Sequence, residues 1–222
     1  MGNTPKAFVA ELVATFTLTF IGAGAIISDN MGGNFGILGI AIAHGLALAL
    51  MVSATMGVSG GHVNPAVTFG FIVSGRIKPL IGLIYIVAQV IGAIVAAFLL
   101  RAIFPSSAYD AVHLGATTLS DGISPGIGLL VEIILTFFLV FAVFGTAVDE
   151  RGPKVGGFGI GLVLVMDILA GGTLTGASMN PARSFGPVLA SGYWVGHWIY
   201  WVGPLVGGGL AALLYNSFLI KK

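Results

Sequence analysis

Cysteine is absent from the 222-residue chain, and charge is scarce: Asp, Glu, Lys and Arg together make up 8% of it. The first absence excludes disulfides, thiol chemistry and cysteine-based metal sites, and assigns no compartment. The second excludes an ordinary soluble surface, since soluble domains carry charge on roughly a quarter of their residues. The net charge of +1 includes no basic cluster, so no nucleic-acid partner is expected. No Asn-x-Ser/Thr acceptor occurs and the tails are minimal, which leans towards a prokaryotic plasma or inner membrane. Met1-Gly2 fails the acylation pattern because Lys6 stands where Ser or Thr is needed. There is no Ser/His/Asp set, no phosphate loop and no cluster of metal ligands, so no enzyme, cofactor or metal is expected.

Apolar residues dominate, at 57% of the chain with a mean hydropathy of +1.05. Six runs approach the roughly 20 residues that a bilayer-crossing helix needs. They are Lys6–Ile27, Gly36–Gly57, Pro79–Phe104, Gly126–Val148, Gly156–Leu174 and Trp194–Ile220. The expectation is an all-α membrane protein, one channel-type domain over residues 1–222, with short loops. The first run lacks a cleavage-like end and reads as a retained helix. With six spans, Lys6, Arg76, Lys78, Arg151, Lys154, Lys221 and Lys222 fall on one side, against Arg101 on the other. The positive-inside rule therefore puts both termini in the cytoplasm.

One stretch occurs twice. Gly60-Gly61-His62-Val63-Asn64-Pro65-Ala66 returns as Gly176-Ala177-Ser178-Met179-Asn180-Pro181-Ala182, and each copy runs on to Phe-Gly. Asn suits a helix N-cap and Pro the first helical position, where a missing N–H costs nothing. Each copy thus reads as a loop entering a short helix. The likeness extends to Glu11 with Glu132, Tyr85 with Tyr200, and Gly92 with Gly207. This is an internal duplication, with repeats near 6–104 and 126–220. Three spans per repeat make the halves inverted, so two re-entrant half-helices should meet at the midplane. Irregular backbone at that depth implies a wet cavity. Gly57/Gly61, Gly92/Ala96 and Gly203/Gly207 have the spacing of close helix packing.

With these paired boxes the chain resembles the aquaporins, the major intrinsic protein family, along essentially its whole length. The resemblance implies six tilted helices, two half-helices, one pore per protomer and a homotetramer in the lipid bilayer. It further implies water and small neutral solutes as permeants. An Asn N-cap accepts from the backbone through its carbonyl oxygen and leaves its NH₂ to donate. Asn64 and Asn180 would present such donors at two positive helix ends, breaking a proton wire and repelling cations.

Arg183 sits one turn along its helix at depth, where an Arg usually marks a pathway. The resemblance makes it part of the narrow outer filter, together with His44, Ile168 and Ala177. Their spacings from the boxes match, with His44 lying 20 residues before Asn64 and Ile168 lying 12 before Asn180. A His/Ile/Ala/Arg set resembles the plant tonoplast branch, associated with water plus ammonia and sometimes urea. Ser184 and Tyr200-Trp201 argue against a glycerol channel; a glycerol or urea facilitator is the runner-up. An ion-coupled transporter, a remoter rival, would need a cation site. In the family, carboxylates like Glu11 and Glu132 accept from the box loops; a proton relay is the alternative. His62 should line the cytoplasmic half of the pore. Asp167 faces a neighbouring helix or the outer vestibule, near Arg183 or His113, or else the membrane interface. His113 reaches Arg183 from the outer loop, as loop histidines do in some tonoplast-type channels. The rest of the loop from Pro105 to Pro125 merely connects the halves, and His197 is interfacial.

Overall fold

A computed structural model of the chain describes residues 4–220. Met1, Gly2, Lys221 and Lys222, used above, lie outside the described residues. The helices are α1 (Thr4–Ser28), α2 (Gly36–Ser59), α3 (Pro65–Val73), α4 (Pro79–Ile103), α5 (Ser106–Tyr109), α6 (Pro125–Val143), α7 (Phe158–Thr175), α8 (Pro181–Ser191) and α9 (Ile199–Leu214). Six segments are long and apolar enough to cross a membrane: α2, α4 and α7, with α1 continued to Gly33, α6 to Val148 and α9 to Leu219. No strand occurs among the described residues. The last span begins at Ile199, later than expected, because residues 194–198 form turns around Gly196, whose φ is +66°.

Local chemistry sets the boundaries. Proline occupies the start of α3, α4, α6 and α8, where its fixed φ helps and its missing N–H does no harm. Gly60 and Gly176 end α2 and α7 in left-handed conformations, with φ of +92° and +78°. Each then releases the chain into a loop leading to a half-helix.

Packing follows the duplication. The contacts of α1 with α4 and with α2 have counterparts in α6 with α9 and with α7. Helix α3 lies on α9 as α8 lies on α4, while α2 and α7 meet directly. At two equivalent crossings only glycine fits. A Cβ on Gly92 would lie 2.3 Å from the Leu12 carbonyl oxygen, and one on Gly207 would lie 2.1 Å from that of Ile133. The expected Gly57/Gly61 packing pair does not form: Gly57 is exposed with nothing near it, and Gly61 lies beyond the end of α2.

The basic loops gather on one face. Arg76 donates to Asn216 at 2.8 Å, and Arg151 donates to the Leu219 carbonyl at 2.6 Å. Thr4, at the start of α1, lines a groove with Arg76 and Lys78. Arg151 also binds Asp149 through both side chain and backbone, which holds the Asp149 carboxyl below the ordinary carboxylate range. Arg101 donates instead to the Ala190 carbonyl at the end of α8.

Candidate permeation site

The two half-helices meet N-terminus to N-terminus through their loops. Asn64 Oδ1 accepts from the Ala66 N–H at 2.8 Å, and Asn180 Oδ1 accepts from those of Ala182 and Arg183 at 3.1 and 3.2 Å. Each amide nitrogen crosses to the other loop. Asn64 Nδ2 donates to the Met179 carbonyl at 2.7 Å, and Asn180 Nδ2 donates to the Val63 carbonyl at 3.0 Å. Both residues line one cavity. An amide nitrogen carries two hydrogens, so after these crossing bonds each Asn keeps one to offer the cavity.

The loops are held open by buried carboxylates. Glu11 accepts from Ser59 Oγ, from the His62 and Val63 N–H groups and from Gln89 Nε2, all within 2.9 Å. Glu132 accepts from Thr175 Oγ1 and from the Ser178 and Met179 N–H groups, again within 2.9 Å. These bonds turn the loop N–H groups towards the scaffold, while the Val63 and Met179 carbonyls accept from the opposite Asn. Val63 and Met179 accordingly take left-handed conformations, with φ of +58° and +52°, that few side chains tolerate. Sequence reasoning missed Gln89, whose signal was an amide within an apolar run.

The cavity runs from His44 and Arg183 past both Asn residues to His62. A second cavity continues from Gly61, His62 and Val67 to Ala147 and Val148 at the end of the fourth span. His62 packs on Phe71 with ring centres 4.3 Å apart. The single Thr68 hydroxyl hydrogen goes to the Asn64 carbonyl, so His62 Nδ1 donates to Thr68 Oγ1. In the neutral ring this leaves Nε2 as an acceptor.

At the outer end Arg183 is gripped from two sides. Its Nη1 donates to the Gly115 carbonyl at 3.0 Å, and its Nη2 to His44 Nε2 at 2.9 Å. His44 Nδ1 donates to the Ile40 carbonyl at 2.8 Å, which fixes the tautomer that can accept from Arg183. Behind the ring is Gly22, where a Cβ would fall 2.2 Å from Nε2. Ala177 lines the cavity beside them. Ile168 is buried in the same apolar cluster as Ala177 and Leu164 but is not among the lining residues.

Four expectations differ from the structure. His113 does not reach Arg183: its ring stacks on Tyr193, centres 3.8 Å apart and planes within 10°. The loop does supply the Arg183 contact, through the Gly115 carbonyl, and it buries Leu114, so it is more than a connector. Asp167 is neither interfacial nor bonded to Arg183 or His113. It is fully buried, and both carboxyl oxygens lack a partner among the described residues. His197 is likewise buried, accepting from Trp201 Nε1 at 3.0 Å and packing on Phe185.

Comparison with known proteins gives the same family throughout. Residues 2–215 match the Major intrinsic protein family. A probable aquaporin TIP-type of Medicago truncatula is 46% identical over 99% of this chain and 89% of its own length. Aquaporin TIP2-3 of Zea mays is 47% identical over 98% and 89%. Probable aquaporin TIP3-2 of Arabidopsis thaliana is 46% identical over 98% and 85%. These are plant proteins, which gives no support to a prokaryotic assignment. The fold is shared with the aquaglyceroporin of Plasmodium falciparum, at a TM-score of 0.84 and 23% identity over 98% of this chain and 97% of that one. By these matches the chain belongs to the major intrinsic protein family, the family of the aquaporins.

Proposed function

We propose that the chain is a passive, uncoupled water channel that excludes protons and ions, with ammonia or another small neutral solute as a further permeant. The observation that carries this reading is the crossed pair of Asn amides, each with one hydrogen left for the cavity. A water molecule between them accepts from both sides and must point its own hydrogens outward, so it cannot relay a proton along the file. The two half-helix N-termini contribute about half an elementary charge each, which disfavours a cation at the same place. The TIP-type relatives support the water reading.

His44, Ala177 and Arg183 form the proposed outer filter, with Ile168 shaping it from behind. Direct bonding of Arg183 to His44 keeps this constriction polar and narrow. Ser184 is tied to Ser178 and Thr117 at 2.5 and 2.8 Å, which commits its hydroxyl to the scaffold. Glu11 and Glu132 are read as loop supports, their oxygens being occupied by scaffold donors. His62 offers an acceptor in the inner half.

The family resemblance supports a homotetramer, and both termini are assigned to the cytoplasmic face with the basic loops. The TIP-type relatives support a tonoplast-type channel in place of one in the plasma or inner membrane. Stopped-flow shrinkage of proteoliposomes under an osmotic step tests the function. Shrinkage well above empty vesicles, with weak temperature dependence, is expected. Rates equal to empty vesicles with correctly inserted protein would remove the water-channel reading.

A further inference from the structure

We propose that the stacked pair His113 and Tyr193 is a clasp that sets the width of the outer constriction, by holding the Gly115 carbonyl on Arg183. The inference rests on the channel reading above and names two positioning residues that do not themselves line the cavity.

His113, Leu114 and Gly115 are three successive left-handed residues, with φ of +46°, +58° and +72°. Two of them carry side chains, for which this conformation is unfavourable, so surrounding contacts must impose it. Leu114 is buried in the cluster that includes Ala23, Ile27 and Leu100. Gly115 is pressed onto α1, where a Cβ would lie 2.7 Å from that of Ala23. At the remaining end of the run, the half-buried His113 ring lies flat on Tyr193. That stack is the contact that ties the strained turn to the segment following α8.

The consequence falls on Arg183. Its guanidinium is suspended between one side-chain acceptor, His44, and one backbone acceptor, the Gly115 carbonyl. His44 cannot retreat, because its ring is already against Gly22. The loop is therefore the jaw able to move. Tyr193 follows Gly192, the residue that ends α8, while Arg183 stands in the first turn of the same helix. The loop thus grips α8 at both ends, with Thr117 bonded to Ser184 between them. Loss of the stack frees the turn to relax from its left-handed path. The Gly115 carbonyl then leaves Arg183, and the guanidinium gains room to swing aside.

The test measures glycerol and water permeability in the same proteoliposomes, for the full-length protein and its variants. His113→Ala and Tyr193→Ala are each expected to raise the glycerol-to-water ratio by about threefold or more, the scale of a lost aromatic pair. The double variant should add little to either. Tyr193→Phe keeps the ring face and should restore the wild-type ratio, which a generally loosened loop would not do. Should either alanine variant fail to fold, Tyr193→Leu keeps bulk without a ring face and is expected to raise the ratio in the same way. An unchanged ratio in folded ring-deleted variants, or Tyr193→Phe behaving like Tyr193→Ala, would overturn the proposal. Failure of the water-channel reading is seen separately, as wild-type water permeability no greater than that of empty vesicles.

Discussion

The inner and outer halves of the pore share a scaffold and differ in what is mounted on it. In each, a buried Glu orders a loop, a left-handed residue aims a carbonyl at the opposite Asn, and Asn-Pro starts a half-helix. The position three residues beyond the Asn is Val67 in the inner half and Arg183 in the outer. Gln89 braces the inner carboxylate and Thr68, whereas its aligned partner Pro204 can donate nothing. The outer half is braced from outside the repeat, by Gly115 on Arg183 and Thr117 on Ser184. The frame is symmetric; the residues proposed to discriminate between permeants stand in one copy, along with the loop that steadies them.

The largest effect should come from removing the frame. Glu11→Leu strands four buried donors and Glu132→Leu three, at about 1–3 kcal/mol each. Both variants should melt far below wild type in detergent, the Glu11 variant lower still. The reverse order would mean that the halves are not braced as described. Next, Arg183→Val makes the outer half like the inner. A unit charge about 4 Å from a permeating cation is worth roughly 4 kcal/mol at an effective dielectric near 20. Cation leak should therefore rise by more than about tenfold, with water permeability kept and proton leak still blocked at the Asn pair. An unchanged leak would place selectivity elsewhere.

A smaller effect is expected at Asp167. Its unpartnered carboxyl has no counterpart in the inner half, so Asp167→Leu should raise stability by about 1–3 kcal/mol in thermal melts. A loss of stability would reveal a partner that the geometry does not show. The smallest effect concerns the edge that carries the basic loops. Arg151 lowers the Asp149 pKa, so this contribution is present above the ordinary carboxylate range and fades as pH falls through and below it. Wild type should accordingly lose its advantage over Asp149→Asn on acidification from neutral pH. An advantage that stays constant with pH would exclude this pair as the source.

The frame was legible in the sequence because it is made of side chains with fixed habits. Asn caps, Pro starts a helix, and a Glu inside an apolar run needs donors. The six spans follow from hydropathy, and the unusual Arg183 follows from its depth. What could not be read was built from backbone or from absence. The Gly115 carbonyl has no side-chain signature, and its loop looked polar enough to be a surface connector. His113 was assigned to Arg183 by analogy, but the left-handed turn swings its ring onto Tyr193. Asp167 was left between a neighbouring helix, the outer vestibule and the interface because nothing in sequence reports which face of α7 it occupies.

The central claim is that the crossed Asn pair lets water through while breaking the proton path. It is tested most directly by recording osmotic shrinkage and internal pH in one set of proteoliposomes, loaded with a pH-sensitive dye. Water flux far above that of empty vesicles, with proton flux indistinguishable from theirs, is expected. Proton flux rising in parallel with water flux would contradict it.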